Sequence, residues 1–298
     1  MNFPLFARSF IRNYMFRRGR IGRSKFKKIL RFFLPQHQKV NLDPGLSMVL
    51  DFSRKNQEFI FWFYEELEPS LQWAIKTLLP MGGVFVDCGA NAGLMGLLAI
   101  HGRAAKAVFI EPHPRLAETI RKNIELNQFT SNAIVWECAA SSEENTASLY
   151  LNSMNDGGHT LRHPHQSETG STVLVKTRRL EDLFSKGTLQ HIDFLKVDTE
   201  GHDFHVLTGL GSYLCVAHVD LIFVEMDGDY GKIWEMLSKR GYRPFASHKI
   251  YIDQLRRLER KKDFSCFYSP IEKPGDGNLL WCARGSCYEK VLLTACAK

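Results

Sequence analysis

Short apolar runs that alternate with helical patterns organise the middle of the chain. Runs with the length and composition of buried strands occupy residues 84–86, 107–111, 133–138, 192–198, 221–225 and 279–283. Helical patterns occupy residues 94–100 and 115–127, and the second carries Leu116, Ile120 and Ile124 on one stripe. This alternation predicts an α/β fold with a mostly parallel, doubly wound sheet and helices on both faces.

The segment at 84–93, Val-Phe-Val-Asp-Cys-Gly-Ala-Asn-Ala-Gly, predicts a strand, a glycine turn and the start of a helix. Such a turn forms a cradle for a nucleotide-like ligand, and Gly89, Asn91 and Gly93 are its candidate contacts. A dinucleotide fingerprint would have further glycines where Asn91 and Leu94 stand, so the spacing excludes that class. Asp87 would repel a pyrophosphate but suits a cationic ligand, and S-adenosylmethionine is one.

Four predicted strands end in an acidic residue: Asp87, Glu111, Asp198 and Glu225. In a doubly wound sheet the carboxyl ends of the strands face the ligand, so these acids are expected to gather there. Glu111, at the end of the second strand, is expected to accept hydrogen bonds from ribose hydroxyls. The small residues from Ala139 onward are expected to leave room for a flat adenine.

A family resemblance rests on three longer segments, at 86–93, 109–114 and 194–203, and on short ones at 155–160 and 224–226. These resemble the FkbM-type S-adenosylmethionine-dependent methyltransferases, and the Asp-x-Glu-Gly at 198–201 is the most specific element. The resemblance implies a class I methyltransferase (Rossmann-like) sheet whose last strand is antiparallel. It also implies O-methylation of a hydroxyl on a sugar, a glycan or a related natural product. Cys138 and Asp203 depart from the family pattern.

Candidate catalytic residues follow the fourth strand: Asp198, Glu200 and His202. If the extended geometry persists through Thr199, strand alternation points Asp198 and Glu200 the same way. His202 has the best-tuned reference pKa, near 6.5, whereas Asp198 is the better-placed general base. In the alternative interpretation, Glu200 and Gly201 only build the turn and Asp203 caps the next helix.

Other functions remain as alternatives. A nucleic-acid or protein N-methyltransferase would share the cradle, but the segment after the fourth strand lacks the prolines typical of those enzymes. A non-catalytic S-adenosylmethionine-binding module is another alternative. The polar segment 152–171 is predicted to be a lid. It carries His159, His163 and His165, and because no companion acid has ligand spacing, no metal is expected.

The net charge of +7 is concentrated at the N-terminus. Residues 1–40 hold 11 Lys and Arg and no acid, whereas the other 258 residues carry 28 basic and 32 acidic side chains. Phenylalanines interleaved with the basic residues predict an amphipathic segment on an anionic membrane surface. A solvated tail, a nucleic-acid arm and a transit peptide are the competing interpretations, and nucleic acid is not expected as a partner.

The predicted organisation is therefore a basic extension at 1–40, a helical cap at 41–80 and a methyltransferase domain at 81–298. Phe59, Trp62 and Phe63 have helical spacing and are expected to pack as part of the cap. No apolar run reaches the ~20 residues that a membrane span needs. The expected location is the cytoplasm, with peripheral contact at the inner face of the membrane.

Overall fold

The computed structural model describes residues 35–152, 155–162, 171–226, 228–248, 267–273 and 277–296. Within these ranges no helix is both long and apolar enough to cross a bilayer. The strands are β1 His37–Asp43, β2 Leu46–Asp51, β3 Val84–Cys88, β4 Lys106–Ile110, β5 Ala133–Trp136, β6 Ala139–Ala140, β7 Asn145–Tyr150, β8 Thr172–Arg178, β9 Ile192–Val197, β10 Val219–Met226, β11 Tyr242–Ser247, β12 Tyr268–Pro270 and β13 Gly277–Ala283. The α-helices are α1 Lys55–Phe63, α2 Pro69–Leu78, α3 Leu94–Gly102, α4 Pro114–Leu126, α5 Asp182–Ser185, α6 Asp203–Thr208, α7 Tyr230–Lys239 and α8 Cys287–Cys296.

The central sheet has eight strands in the order β12-β11-β13-β10-β9-β3-β4-β5. Strands β3, β4, β5, β9 and β10 are mutually parallel, and β13 runs antiparallel to both of its neighbours. This is the predicted doubly wound sheet with an antiparallel last strand. The β9–β3 pair lies in the interior of this sheet, and there two segments more than 100 residues apart in sequence meet.

Strand alternation builds a separate core on each face of the sheet. Phe85 and Phe194 point to one face, where their rings meet edge to face at 5.5 Å. Val86 and Leu195 point to the other face, with the residues of α6 and α7. Burying both faces explains why these strands are nearly continuous in apolar residues.

The region before the central sheet is only partly the predicted helical cap. Residues 37–51 form the antiparallel hairpin β1–β2, and the helices begin at Lys55, so the predicted boundary at residue 40 falls inside β1. The signal was a period of two, since Gln38, Val40 and Leu42 are buried in alternation. Trp62 packs in the core as expected, whereas Phe59 is 40% exposed.

A small three-stranded sheet, in the order β6-β8-β7, follows β5. The predicted third strand at 133–138 ends two residues early in the structure, and Ala139 and Ala140 pair with β8 instead. The connection between β7 and β8 contains the segment 155–162, which we call the strap. The strap lies over the carboxyl ends of the central strands.

Candidate active site

A cavity of about 270 Å³ opens at the carboxyl ends of β3, β4, β9 and β10. Seven of the nine residues predicted from the sequence line it: Gly89, Asn91, Glu111, Ala139, Asp198, Glu200 and His202. Glu225 lines it too, so three of the four strand-terminal acids meet there. The remaining two predicted residues, Asp87 and Gly93, do not line the cavity.

Asp87 lies beneath the glycine turn instead of facing a ligand. Its side chain is 1% exposed, one oxygen accepts the backbone N–H of Gly96 at 3.1 Å, and the other lies 3.2 Å from Lys196 Nζ. The prediction of a direct cofactor contact is therefore wrong for this structure. The carboxylate supports the first turn of α3, because the N-terminal N–H groups of a helix favour a negative charge.

The two glycines of the turn are required by contacts within the protein. Gly89 has a φ of +73°, and a Cβ there would overlap the main-chain carbonyl oxygen of Asp198. Gly93 precedes α3 with a φ of +87°, and a Cβ there would lie 3.2 Å from Ile120. Of the two glycines expected to admit a ligand, Gly93 does not line the cavity and packs against α4. Gly89 lines the cavity and also brings the turn against the end of β9.

Glu111 is held by two backbone donors, one in the turn after β3 and one just after β4. Its oxygens accept the N–H groups of Asn91 at 2.8 Å and His113 at 2.9 Å. Burial raises the pKa of this carboxyl to about 7, against the lowering effect of those two hydrogen bonds. Because each carboxylate oxygen has a second acceptor position, Glu111 retains the capacity to bind two hydroxyls.

Lys196 is a site residue that the sequence analysis missed. It lies in β9, its side chain is 6% exposed, and its ammonium is 3.2 Å from both Asp87 and Asp198. It also donates to the Gly89 carbonyl at 3.0 Å. Burial alone would lower its pKa, but the Asp198 and Asp87 carboxylates raise it above the ordinary value, so the lysine stays charged. The available signal was a charged residue inside an otherwise apolar strand.

Asp198, Glu200 and Glu225 bring carboxylate oxygens within 4.8 Å of one another. Burial, followed by the charge of Asp198 and a hydrogen bond to it, raises the pKa of Glu225 to about 9. Glu225 is therefore protonated at neutral pH, and this proton relieves the repulsion between neighbouring carboxylates. The predicted common orientation of Asp198 and Glu200 agrees with this clustering, although the backbone at Glu200 is not extended.

His202 lines the cavity but is not the well-tuned base that its reference pKa suggested. Its Nε2 lies 2.9 Å from Ser141 Oγ, and its ring stacks on His205 with centroids 4.7 Å apart. Burial, followed by the neighbouring His205, lowers its pKa to about 4. The ring is thus neutral and already has a hydrogen-bonding partner, which suits orientation of a substrate better than proton removal.

The alternative interpretation of the turn after β9 is partly correct. Glu200 has a φ of +52° and Gly201 of +87°, so this pair does build the turn. Asp203 accepts both the backbone N–H and the hydroxyl of Thr199 at 2.9 Å, which fixes the turn from the start of α6. Glu200 therefore has a structural part as well as a place in the cavity.

Strained backbone accumulates around this cavity. Among the described residues other than glycine, four have positive φ: Glu68, Asn91, Gln128 and Glu200. All but Gln128 line the cavity. A left-handed conformation costs on the order of 1–2 kcal/mol for such residues, and strain of this kind concentrates at functional sites. This supports a functional cavity independently of its acids.

The strap is the main described part of the segment predicted to be a lid, and its residues line one side of the cavity. Asn91 Nδ2 donates to the Asp156 carbonyl at 2.9 Å, and Thr160 Oγ1 donates to the Glu200 carbonyl at 2.8 Å. His159 stacks on His113 with ring centroids 5.1 Å apart, and burial lowers its pKa to about 4. Residues 163 and 165, the other two histidines of the segment, lie outside the described residues.

Comparisons with known proteins identify similar sequences. The family model for the methyltransferase FkbM domain matches residues 87–244. The chain is 27% identical over 194 residues to methyltransferase sdnD of Sordaria araneosa, covering 55% of this chain and 75% of that protein. It is 26% identical over 187 residues to methyltransferase 1 of Beauveria bassiana, covering 55% of this chain and 73% of that protein.

Among solved structures, the chain is similar to methyltransferase FkbM from Methylobacillus flagellatus, with a TM-score of 0.46 and 16% identity. That match covers 76% of this chain but about half, 52%, of the other. The match to the family model begins at Asp87, continues through β9 and β10, and ends in β11. Because it spans more than half of the sequence, the chain belongs to the FkbM methyltransferase family.

Proposed function

We propose that this protein transfers a methyl group from S-adenosylmethionine to a hydroxyl of a sugar, a glycan or a related natural product. The observation that carries the proposal is the charge of the cavity. Six acidic residues line it, with Glu225 among them in its uncharged form, and no lysine or arginine of the described residues does. A cavity of this kind favours a cationic sulfonium over the pyrophosphate of a dinucleotide.

The cavity residues fit the nucleoside part of that cofactor. Glu111 has acceptor capacity for two ribose hydroxyls, and Ala139, Ala140, Leu116 and Leu149 provide apolar walls for a flat base. The main chain from Gly89 to Asn91 would lie against the remainder of the molecule. When bound, S-adenosylmethionine supplies an electrophilic methyl group, so the protein mainly has to align the acceptor with it.

Asp198 is the proposed general base. Its carboxylate faces the cavity and is held from behind by Lys196 at 3.2 Å and from the side by the protonated Glu225. The acceptor hydroxyl would transfer its proton to Asp198 as the oxygen attacks, and the neutral His202 ring would orient the acceptor. Proton removal by a positioned group contributes about 10²- to 10⁴-fold to a rate.

A binding and transfer experiment tests this proposal. By calorimetry the protein should bind S-adenosylmethionine and not NAD. With radiolabelled methyl donor, a panel of neutral sugars, glycans and polyketide-like alcohols should yield a methylated hydroxyl. Asp198→Asn should lower the single-turnover rate about 10²- to 10⁴-fold with little change in cofactor affinity. The exposed Glu235→Gln, on α7, is the matched control and should behave as wild type.

Two results would contradict the proposal. Tighter binding of NAD than of S-adenosylmethionine would contradict the cofactor assignment. Methylation confined to amines would show that the protein is an N-methyltransferase and not an O-methyltransferase. Activity is expected to survive EDTA, because the Glu225 proton already reduces the repulsion within the carboxylate cluster. Abolition by EDTA and recovery with Mg²⁺ would mean that Asp198, Glu200 and Glu225 hold a metal ion.

A further inference from the structure

Asp156, in the strap, carries a buried carboxylate oxygen without a partner. The residue is 5% exposed, and its Oδ1 accepts the backbone N–H of Asn56, in the first turn of α1, at 2.8 Å. Its Oδ2 is shielded from water and makes no hydrogen bond within the described part of the chain. Burying a carboxylate oxygen without a hydrogen-bond donor costs free energy, so a ligand is the expected source of the missing donor.

The position of Asp156 is fixed by the same turn that forms the cradle. Asn91 Nδ2 donates to the Asp156 main-chain carbonyl at 2.9 Å, while the Asn91 backbone N–H donates to Glu111 at 2.8 Å. Asp156 and Glu111 are therefore joined through one residue, and both line the cavity. A ligand whose ribose binds Glu111 would bring its neighbouring groups toward Asp156.

Among the described residues, no lysine, arginine or histidine forms an ion pair with Asp156. Arg54 is 41% exposed at its side chain, and its guanidinium pairs with Asp51 at 3.9 Å. Burial lowers the pKa of both His113 and His159, which leaves these rings uncharged at neutral pH. The group that Oδ2 can best accept is therefore a cationic N–H donor supplied by a ligand.

We propose that Asp156 binds the α-ammonium group of the methionine part of the cofactor. This inference rests on the proposed function, because the cofactor supplies that ammonium. In this proposal the strap is part of the cofactor site. Oδ1 of Asp156 binds the N–H of Asn56 in α1, and Oδ2 binds the ligand. Binding of the amino acid part would then add a contact to those that already join the strap to Asn91 and Asn56.

Two ligands that differ in the amino acid part test the assignment. S-adenosylhomocysteine carries the ammonium, whereas 5′-methylthioadenosine keeps only the nucleoside and the sulfur. Asp156→Asn should weaken S-adenosylhomocysteine at least tenfold, about 1.4 kcal/mol, and change the Kd of methylthioadenosine less than twofold. Asp156→Ser is the second variant, because its hydroxyl can still accept the Asn56 N–H if the amide does not fold.

Thr160→Val is the matched control. It removes the hydrogen bond between the strap and the turn after β9 without touching Asp156, and it should change the affinity for both ligands by the same factor. A deaminated S-adenosylhomocysteine completes a double-mutant cycle. Wild type should bind this analogue at least tenfold more weakly than S-adenosylhomocysteine, and Asp156→Asn should bind the two equally.

The outcomes separate this inference from the proposed function. If Asp156→Asn and Asp156→Ser weaken both natural ligands equally, Asp156 only supports the strap, and the assignment is overturned. Unchanged S-adenosylhomocysteine affinity in both variants overturns it as well, while leaving the cofactor in place. Failure of wild type to bind either nucleoside would overturn the proposed function, and the present inference with it.

Discussion

At the scale of single residues, the chemistry of the site depends on what burial does to ordinary carboxyls and imidazoles. Burial raises the pKa of Glu111 to about 7 and lowers that of His202 to about 4. These shifts reverse the roles that reference pKa values suggest, since the histidine stays neutral and a carboxyl titrates near neutral pH. The sequence predicts that both residues belong to the site, but it does not predict their protonation states.

Glu111 makes cofactor affinity depend on pH. Below a pKa of about 7 the carboxyl is protonated and must lose a proton to accept two ribose hydroxyls, so binding costs more at pH 6 than at pH 8. The affinity for S-adenosylhomocysteine should rise across this window, by no more than about tenfold per pH unit. His159 and His202 have pKa values of about 4 and do not titrate there.

Calorimetry in two buffers of different ionisation enthalpy checks this pH dependence. Wild type should release protons on binding near pH 7, and Glu111→Gln should bind more weakly with a flat pH profile. A wild-type affinity that is constant from pH 6 to 8, with no proton release, would show that Glu111 does not face the ribose.

At the scale of elements, the site depends on the contact between the glycine turn after β3 and the end of β9. Asp198 donates its backbone N–H to the Cys88 carbonyl at 3.2 Å, and Lys196 donates to the Gly89 carbonyl at 3.0 Å. The turn that we assign to the cofactor and the residue that we assign to the acceptor are therefore one packed unit. A substitution in the turn is therefore expected to affect both cofactor binding and the position of Asp198.

Two glycines with nearly the same φ allow the cost of a left-handed conformation to be measured separately from the cost of a steric clash. Gly82 has a φ of +78° with no atom within 4 Å of a Cβ, whereas Gly89 has a φ of +73° and would place its Cβ onto the Asp198 carbonyl oxygen. Gly82→Ala should cost only the ~1–2 kcal/mol of a left-handed residue. Gly89→Ala should cost more in denaturant unfolding and abolish S-adenosylhomocysteine binding. Equal loss of stability in the two variants would contradict the close packing of the turn.

At the scale of the whole molecule, charge is divided between the folded body and the N-terminal extension. Most of the basic extension, residues 1–34, lies outside the described residues, so its contact with an anionic membrane surface stays a prediction. Each Lys or Arg near such a surface adds about 1 kcal/mol. Since the hairpin begins at His37, a truncation that removes the extension and keeps the fold has to end before residue 35 and not at residue 40.

Vesicle co-sedimentation tests the predicted membrane contact. The full chain should sediment with vesicles containing anionic lipid, less so as salt is raised, and not with zwitterionic vesicles. A chain that begins at residue 35 should lose this binding and keep its affinity for S-adenosylhomocysteine, which shows that the body is intact. Equal sedimentation of the two chains would rule out the extension as the membrane-binding segment.

The sequence by itself determined the parallel strands of the central sheet, the glycine turn and the acids near the strand ends, and from them the place of the cavity. These features depend on local periodicity and turn chemistry, which act between residues close in the chain. Ala139, Glu111 and Asp198 were therefore predicted correctly as residues that face one cavity.

Only the tertiary structure decided which of these groups face a ligand and which support the site. β9 lies beside β3, so Lys196 reaches Asp87 and Gly89 across more than 100 residues, and the first acid of the series becomes a buried support. The strap brings Asp156 to Asn91 in the same way. The physical reason is that burial, pairing and pKa depend on neighbours that only folding supplies, and no local pattern specifies them.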